Sequence, residues 1–289
     1  MKNILVIGVD GKLGSGLMKQ LKAGANGTTR RVNLQANEIY LDLVNPDSIE
    51  ALKKNLNYDV AILVAAISEP DYCFLNQKIS WVTNVESIVE ILKILKEYKI
   101  KPVFISTEMV FDGNKGFYSE SDKTDPILIY GKQKLEIEKI IRQNFSDFII
   151  VRLSKIYSAL NNDNSILNNF YSDIINSKVA YYAKDQYFSP TLQDDFELAV
   201  LGLIKKNLCG VFHVSSSHRI SRWQFYQLFA EQIGNYGKVR PCMLKDIKFI
   251  EQRPPDLSLN GKKLSRAIGL TFTTPEAGIK KWITNNSIL

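Results

Sequence analysis

The chain begins with a short apolar run that leads into a glycine-rich turn. Ile4–Ile7 is apolar throughout, which indicates a strand buried on both faces of a parallel sheet. The turn Gly8-Val9-Asp10-Gly11-Lys12-Leu13-Gly14 follows, and leucines then recur every four residues at Leu13, Leu17 and Leu21, as on one face of a helix. Glycines at this spacing allow a tight turn and a close approach of the backbone to a pyrophosphate. We therefore expect a dinucleotide site here.

Strand and helix signals alternate through the first half of the chain. Further strands are predicted at 27–31, 38–43, 59–66, 102–107 and 148–153, with one more at 211–215. Helices are predicted at 48–55, 81–98 and 130–142. Strands separated by helices indicate right-handed crossovers between parallel strands. The expected fold is therefore α/β, with a Rossmann-type doubly wound parallel sheet.

The pattern changes near residue 157. Asn161-Asn162-Asp163-Asn164 predicts a polar loop. Ser221 with Gln224 three residues later predicts a capping box, and Thr274-Pro275-Glu276 predicts another helix start. We expect a dinucleotide-binding Rossmann domain over 1–157, to which 192–215 returns, and a smaller mixed α/β substrate-binding domain over 158–191 and 216–289.

Composition excludes several other classes of protein. Hydrophobic residues make up 45% and charged residues 23% of the 289, as in ordinary globular proteins. No apolar run is long enough for a membrane span, and the first residues do not match a signal peptide. The three cysteines, an odd number and widely spaced, argue against a disulfide framework. We therefore expect a cytoplasmic protein. The net charge of +7 is spread among acidic residues, which favours a solvated surface over a nucleic-acid or membrane partner.

The end of the second predicted strand carries arginines where an acidic residue often holds the adenosine ribose. The stretch Gly27-Thr28-Thr29-Arg30-Arg31 contains neither Asp nor Glu. Two guanidinium groups suit a ribose 2′-phosphate, which they can bind through charge-assisted hydrogen bonds. The sequence therefore favours NADP(H) over NAD(H). The alternative is an ordinary solvated basic loop, which would have the same residue pattern.

A tyrosine and a lysine stand one helical turn apart at Tyr130 and Lys134. An unperturbed tyrosine has a pKa near 10, and a neighbouring ammonium favours the phenolate, so we expect the pKa of Tyr130 to be lowered. The pair follows the predicted strand that ends at Ser106-Thr107. Ligands bind at the carboxyl ends of strands in such sheets, so these residues form a candidate proton-transfer site.

Together the motifs resemble the extended short-chain dehydrogenase/reductase superfamily, and within it the dTDP-4-dehydrorhamnose reductase-like group. The resemblance covers nearly the whole chain. Besides the glycine turn, it rests on Asp42-Leu43, Ala65-Ala66, Asn84-Val85, Ser106-Thr107-Glu108-Met109-Val110-Phe111-Asp112-Gly113, Tyr118, Glu120, Pro126, Tyr130, Lys134, Arg152, Ser189-Pro190-Thr191, Gly210-Val211-Phe212-His213-Val214-Ser215, Arg253-Pro254-Pro255-Asp256 and Leu259.

The resemblance implies a catalytic triad of Thr107, Tyr130 and Lys134. In this class of enzyme Tyr130 would give a proton to a sugar ketone as nicotinamide delivers hydride. Lys134 would bind the nicotinamide ribose, and Thr107 would orient the carbonyl of the substrate. The implied reaction is the NADPH-dependent reduction of a nucleotide-linked 4-keto-6-deoxy sugar, a precursor of surface polysaccharide.

The resemblance also assigns residues to the cofactor and to the substrate. The implied cofactor contacts are Gly8, Gly11 and Gly14 at the pyrophosphate, Arg30 and Arg31 at the 2′-phosphate, and Asp42 and Leu43 beside the adenine. Further implied contacts with the dinucleotide are Lys12, Leu13, Thr29, Ala65, Ala66, Tyr130 and Lys134. Arg253 is a candidate contact for the substrate diphosphate, and an ion pair of purely structural role is the alternative. No resident metal is expected, and a homodimer is the candidate assembly.

The sequence departs from the family pattern near the substrate. Glu108 and Met109 stand where the family usually has Asp-Tyr, and Lys155 stands where a tryptophan is common. These changes leave the particular sugar open. An epimerase of the same superfamily and a non-catalytic NADP-binding protein, like the regulatory subunit of methionine adenosyltransferase, are the alternative functions. The three triad residues favour an enzyme, and Phe111-Asp112-Gly113 favours the reductase group over the epimerases.

Overall fold

The computed structural model describes residues 2–160 and 165–288, so the predicted polar loop at 161–164 lies outside the described residues. The helices are α1 (Lys12–Leu21), α2 (Pro46–Ala51), α3 (Pro70–Leu75), α4 (Gln77–Trp81), α5 (Ser87–Glu97), α6 (Ile129–Asn144), α7 (Ile166–Ile175), α8 (Gln193–Lys205), α9 (Arg222–Ile233), α10 (Lys262–Ile268) and α11 (Pro275–Asn285). The strands are β1 (Ile4–Ile7), β2 (Ala25–Thr29), β3 (Glu38–Tyr40), β4 (Val60–Leu63), β5 (Lys101–Thr107), β6 (Ile149–Leu153), β7 (Ile156–Tyr157), β8 (Tyr181–Ala183), β9 (Tyr187–Phe188), β10 (Thr191–Leu192), β11 (Gly210–Val214), β12 (Ile220–Ser221) and β13 (Arg240–Cys242).

The central sheet has seven strands in the order β11-β6-β5-β4-β1-β2-β3. β1 pairs in parallel with β2 on one side and with β4 on the other, so that Ile4 lies opposite both Ala25 and Val60. The chain order reverses at β1, which creates a topological switch point where open α/β sheets bind ligands. The predicted Rossmann-type α/β fold is confirmed.

Burial explains why these segments form the centre of the sheet. β1, β4, β5 and β6 are buried along their whole lengths, as expected of strands covered by helices on both faces. Helix α5 packs Ile88, Ile91 and Leu92 into the same hydrophobic cluster as Leu5 and Leu63. Each such side chain stabilises the fold by about 1.5–3 kcal/mol when it is fully buried.

The predicted helix at 81–98 is interrupted in the structure. α4 ends at Trp81, a π-helical turn covers Val82–Glu86, and α5 then runs over Ser87–Glu97. Within the π turn, Asn84 accepts a hydrogen bond from the Ile67 amide (2.8 Å) and donates one to Gln133 Oε1 (2.8 Å). The spacing of apolar residues along the chain could not predict this interruption, because the π turn depends on hydrogen-bond partners that are distant in sequence. Such bulges often lie near functional sites.

Contacts within the chain concentrate in two compact units. The first comprises 1–110, 126–152 and 203–211, and the second comprises 111–125, 153–202 and 212–289. The predicted domain limits stay a prediction, because a compact unit need not be a separately folding domain. Among the described residues, no helix has the length and apolarity to cross a bilayer.

The second unit has its own aromatic core. Phe170 packs edge-on against Phe225 and Tyr226, and Phe229 packs against Trp282. Both predicted helix starts in this unit are present. Ser221 and Gln224 form the reciprocal capping box at α9, and Thr274 Oγ1 accepts a hydrogen bond from the Ala277 amide at the start of α11.

Candidate active site

The glycine turn between β1 and α1 is closely packed at two of its three glycines. Gly8 has a φ of 101°, which favours glycine, and an added Cβ would lie 2.6 Å from the Cβ of Ala65. At Gly14 a Cβ would overlap the carbonyl oxygen of Gly8 and lie 2.9 Å from Val9 Cα. At Gly11, by contrast, the nearest atom to an added Cβ is the Gly8 oxygen at 3.9 Å. Gly8 and Gly14 therefore serve packing, whereas an added Cβ at the exposed Gly11 would make only an ordinary van der Waals contact.

Helix α1 starts directly from this turn. Gly11 is its N-cap residue and provides no side-chain cap, and Lys12 and Leu13 occupy the first helical turn, which contains no acidic residue. The amides of a first turn and the positive end of the helix dipole attract phosphate. The exposed start of α1 at Gly11 therefore fits the pyrophosphate of a nicotinamide dinucleotide.

The end of β2 brings together charges that are distant in sequence. Thr29 donates a hydrogen bond from Oγ1 to Asp10 Oδ1 (2.6 Å), and Arg31 forms ion pairs with both Asp10 and Glu38. Arg30 follows Thr29, and its backbone amide donates to Asp10 Oδ2 (3.0 Å). The structure thus places the carboxylate of Asp10, a residue of the glycine turn, beside Arg30 and Arg31, the two arginines predicted to bind the 2′-phosphate.

Two further predicted cofactor segments follow strands of the same sheet. Asp42 and Leu43 come after β3, where the Asp42 amide donates to Ser48 Oγ (3.0 Å). Ala65 and Ala66 come after β4, and the Ala65 amide donates to the Ile7 carbonyl (2.9 Å). β1, β3 and β4 belong to one parallel sheet, so these segments share its carboxyl edge with the glycine turn. Their contacts with adenine and nicotinamide stay predictions.

The residues of the implied triad lie in one packed corner of the first unit. Tyr130 lies in the first turn of α6, and Lys134 lies one turn later. An added Cβ at Gly131 would overlap the carbonyl oxygen of Met109 and lie 2.9 Å from its carbonyl carbon. The start of α6 therefore packs directly on the turn that follows β5. Thr107, the last residue of β5, accepts a hydrogen bond at Oγ1 from the Met109 amide (3.2 Å).

Lys134 is held in an almost fully buried position. Its Nζ donates to the Ile105 carbonyl (2.8 Å) and lies 4.6 Å from the centroid of the Phe104 ring and 5.8 Å from that of the Tyr130 ring. Burial lowers the pKa of Lys134 to about 7, against the charge of Glu138, which favours the ammonium form. The lysine therefore titrates near neutral pH.

The expectation of a lowered tyrosine pKa was wrong for this structure. Burial raises the pKa of Tyr130 above its usual value of 10, and the negative charge of Glu108 raises it further. Burial disfavours the charged phenolate, and this cost is the largest cause of the shift. Tyr130 is consequently a protonated phenol at neutral pH, which is the state that a proton donor requires.

Sequence reasoning missed a buried carboxylate next to this corner. Glu138 is fully buried and accepts hydrogen bonds from Ser106 Oγ (2.6 Å), Arg152 Nε (3.0 Å) and Arg152 Nη2 (2.8 Å). Glu138 lies four residues after Lys134, so the two side chains share a face of α6. That spacing was a usable signal. The partner Arg152 on β6 could be identified only from the fold.

Arg253, the predicted substrate contact, lies in the second unit. Its Nη1 donates to the Glu251 carbonyl (2.8 Å), and its guanidinium lies 4.9 Å from the centroid of the Phe249 ring. In the same unit, Phe111 stacks on Tyr118 at 4.1 Å between ring centroids, and the Tyr118 hydroxyl donates to Asp112. Phe111 and Asp112 of the Phe-Asp-Gly motif therefore stabilise the loop in which they lie. The substrate role of Arg253 stays a prediction.

The sheet, the glycine turn and the tyrosine–lysine helix are those of an extended short-chain dehydrogenase/reductase. The family model described as "RmlD substrate binding domain" matches residues 1–288, and the chain belongs to this family. The resemblance found in the sequence is thereby confirmed, together with the predicted class, an oxidoreductase of sugar nucleotides.

Throughout residues 2–160 and 165–288, no three His, Cys, Asp or Glu side chains are grouped to hold a metal ion.

Individual relatives match over almost their full length. The chain is 25% identical to the probable low-salt glycan biosynthesis reductase Agl14 of Haloferax volcanii, with 94% of each chain covered. It is 25% identical to the dTDP-4-dehydrorhamnose reductase of Salmonella typhimurium (98% and 97% covered) and 23% identical to methionine adenosyltransferase 2 subunit beta of Xenopus tropicalis (97% and 86% covered). Among solved structures, the dTDP-4-dehydrorhamnose reductase of Bacillus anthracis in complex with NADP superposes with a TM-score of 0.88 at 21% identity, with 99% of both chains covered.

Proposed function

We propose that this protein reduces a nucleotide-linked 4-keto-6-deoxy sugar, with NADPH preferred over NADH, in the synthesis of surface polysaccharide precursors. The observation that carries the proposal is the buried corner in which Gly131 packs the Tyr130 turn of α6 onto Met109, in the turn that directly follows Thr107 at the end of β5. A protonated phenol at the carboxyl edge of a Rossmann sheet suits the reduction of a carbonyl group. The family to which the chain belongs supports the same reaction class.

Tyr130 acts as the proton donor. Its hydroxyl proton passes to the oxygen of the sugar ketone, which becomes an alcohol, and the phenolate left behind regains a proton from solvent. The bound dinucleotide supplies the hydride that the ketone carbon receives. Burial keeps Tyr130 protonated until the developing alkoxide takes its proton, because the pKa of the phenol is raised above 10.

Lys134 and Thr107 position the reacting groups. Lys134 binds the hydroxyl groups of the nicotinamide ribose, and its charge stabilises the phenolate as it forms. The Thr107 hydroxyl accepts from the Met109 amide (3.2 Å) and donates to Glu108 Oε2 (3.2 Å), and it turns this proton from Glu108 to the ketone oxygen when the substrate binds. A positioned hydroxyl of this kind restricts the substrate to the geometry needed for transfer.

The remaining assignments concern the cofactor, the substrate and the setting. Gly11 and the first turn of α1 hold the pyrophosphate, and Arg30 and Arg31 favour the 2′-phosphate of NADPH through their charges. Arg253 contacts the diphosphate of the nucleotide sugar. We propose a cytoplasmic location for this enzyme and a homodimer as its assembly.

The test is NADPH oxidation by the purified protein with a panel of nucleotide-4-keto-6-deoxy sugars that differ in base and sugar. We expect turnover with at least one member, and a loss of roughly 10²–10⁴-fold in Tyr130→Phe, the range typical of general acid catalysis. The matched control is Tyr98→Phe, since Tyr98 is an exposed residue at the end of α5. Turnover that survives in Tyr130→Phe would refute the role of this tyrosine.

The same panel separates the alternative functions. An epimerase would convert a nucleotide sugar without net oxidation of NADPH, which product analysis detects. A regulatory protein would bind the dinucleotide and turn over no member of the panel. The similarity to methionine adenosyltransferase 2 subunit beta supports the regulatory alternative, and no turnover with tight NADPH binding would favour it.

A further inference from the structure

The second unit contains an open hollow beside helix α10. Its volume is about 570 Å³, which is within the range of small-molecule sites. One wall comes from the loop that follows the Phe-Asp-Gly motif, and the other comes from α10 and the residue before its cap. The polar lining residues are Ser119, Glu120, Asn260, Lys262, Lys263 and Arg266. The lining shares no residue with the cofactor, catalytic or substrate contacts proposed above.

The charges of this lining are out of balance. Lys262, Lys263 and Arg266 are exposed, and Lys262 and Arg266 stand four residues apart, which makes them neighbours on one face of the helix. Like charges at this spacing destabilise a helix. Neither Lys262 nor Arg266 has an ion-pair partner in the part of the chain that the structure describes. A bound anion would supply the countercharge.

Hydrogen bonds fix the two walls of the hollow to each other. The Tyr118 amide donates to the Ser258 carbonyl (2.9 Å), and the Asn260 amide donates to the Tyr118 carbonyl (2.8 Å). Glu120 Oε1 accepts from the His213 amide (2.9 Å), which holds the loop from a third side. Because the fold itself sets the walls, a ligand need not order them, and the entropic cost of binding is reduced.

Two further lining groups suit an anionic ligand. Lys263 Nζ lies 4.5 Å from the centroid of the Phe212 ring, a cation–π contact that restricts the lysine side chain. Asn260 Oδ1 accepts from the Lys262 amide (3.0 Å), and its Nδ2 group is a donor that makes no hydrogen bond to the described residues. Cations and an amide donor around one hollow bind phosphate oxygens through charge-assisted hydrogen bonds.

Size and charge together point to a small polyanion. Three cations and one carboxylate leave an excess of two positive charges in the lining. A phosphate group carries about −1.5 to −2 at neutral pH, so a diphosphate can offset this excess. A nucleic acid would require a basic track along the surface, whereas the other basic residues of this chain are interspersed with acidic ones.

We propose that the hollow beside α10 binds a small anion that carries a diphosphate group, with Lys262, Lys263 and Arg266 as its cationic contacts. Free diphosphate and a nucleoside diphosphate present the same chemistry to these residues. The site goes beyond the proposed reductase activity and does not depend on it.

Calorimetric titration of inorganic pyrophosphate into the full-length protein, with NADP⁺ present in excess, tests the proposal. We expect the wild type to bind pyrophosphate. Lys262→Gln/Arg266→Gln should weaken this binding by roughly tenfold or more, because two charge-assisted contacts are lost. Glu120→Gln keeps an oxygen that can accept a hydrogen bond and removes the one negative charge of the lining, so binding should become several-fold tighter.

Two controls separate the hollow from other sources of anion binding. Lys238→Gln/Lys280→Gln also removes two charges from exposed residues of the second unit and should leave the dissociation constant unchanged. Arg253→Gln removes the proposed contact for the substrate diphosphate and should leave it unchanged as well. Melting temperatures of all variants show whether each of them is folded.

The absence of pyrophosphate binding to the wild type would overturn the proposal, and this measurement needs no variant. Equal weakening in Lys238→Gln/Lys280→Gln would mean that surface charge alone attracts the anion. Weakening in Arg253→Gln, without weakening in Lys262→Gln/Arg266→Gln, would place the anion at the substrate contact and would also refute the site. With ADP in place of pyrophosphate, tighter binding assigns the hollow to a nucleotide, and equal or weaker binding assigns it to free diphosphate.

Discussion

The buried ion pair between Glu138 and Arg152 should be essential for stability. Both side chains are at most 2% exposed, and Arg152 donates to the carboxylate from Nε and from Nη2. Glu138→Gln removes the charge but keeps the shape, so the buried guanidinium of Arg152 loses its ion pair with Glu138. Breaking a buried pair in this way costs about 3–5 kcal/mol. That is a large part of the roughly 5–15 kcal/mol by which a typical protein is stable.

Urea unfolding, followed by tryptophan fluorescence and by far-UV circular dichroism, measures the effect. We expect the midpoint to fall well below that of the wild type in Glu138→Gln, with both probes in agreement. The double variant Glu138→Gln/Arg152→Met should be more stable than Glu138→Gln, because the buried guanidinium is then removed together with the carboxylate that paired with it. Glu90→Gln breaks the exposed pair with Lys93 and should change little.

A loss of less than about 1 kcal/mol in Glu138→Gln would refute the reasoning, because it is below the range for breaking a buried ion pair. A double variant less stable than Glu138→Gln would contradict it in another way. It would mean that Arg152 stabilises the fold through packing along its stem, and that its charge is of little consequence.

The glycines and the buried lysine allow two more tests. Gly14→Ala should lower the melting temperature, with an overpacking cost of about 1–3 kcal/mol. Gly11→Ala should leave the melting temperature unchanged and weaken the binding of ADP-ribose. Equal melting temperatures of the two variants would contradict the packing argument. Since burial lowers the pKa of Lys134 to about 7, unfolding takes up a proton between about pH 7 and 10.5, and stability therefore rises with pH in that window. Relative to Lys134→Met, the wild type should gain up to ~1.4 kcal/mol per pH unit there, and a flat difference in urea unfolding would refute the burial of its charge.

Local patterns in the sequence were enough for the parallel sheet and for much of the site. A local pattern over a few neighbouring residues indicates burial, as in the apolar run Ile4–Ile7, the glycine turn and the leucine stripe of α1. The structure has β1 and α1 at those positions. The spacing of four between Tyr130 and Lys134 likewise follows from helical geometry alone. Strand ends were less accurate, since β4 ends at Leu63 although the apolar stretch continues to Ala66.

What only the tertiary structure decided is how residues distant in sequence meet. Asp10 reaches Arg31 because β1 and β2 are paired, and Glu138 reaches Arg152 because α6 packs against the sheet that contains β6. The same packing buries Tyr130 and raises its pKa, in the direction opposite to that expected from its lysine neighbour. The sequence by itself determined which residue types were present and how they repeat. Charge partners and solvent exclusion depend on strand register and helix packing, and these set the protonation of the site.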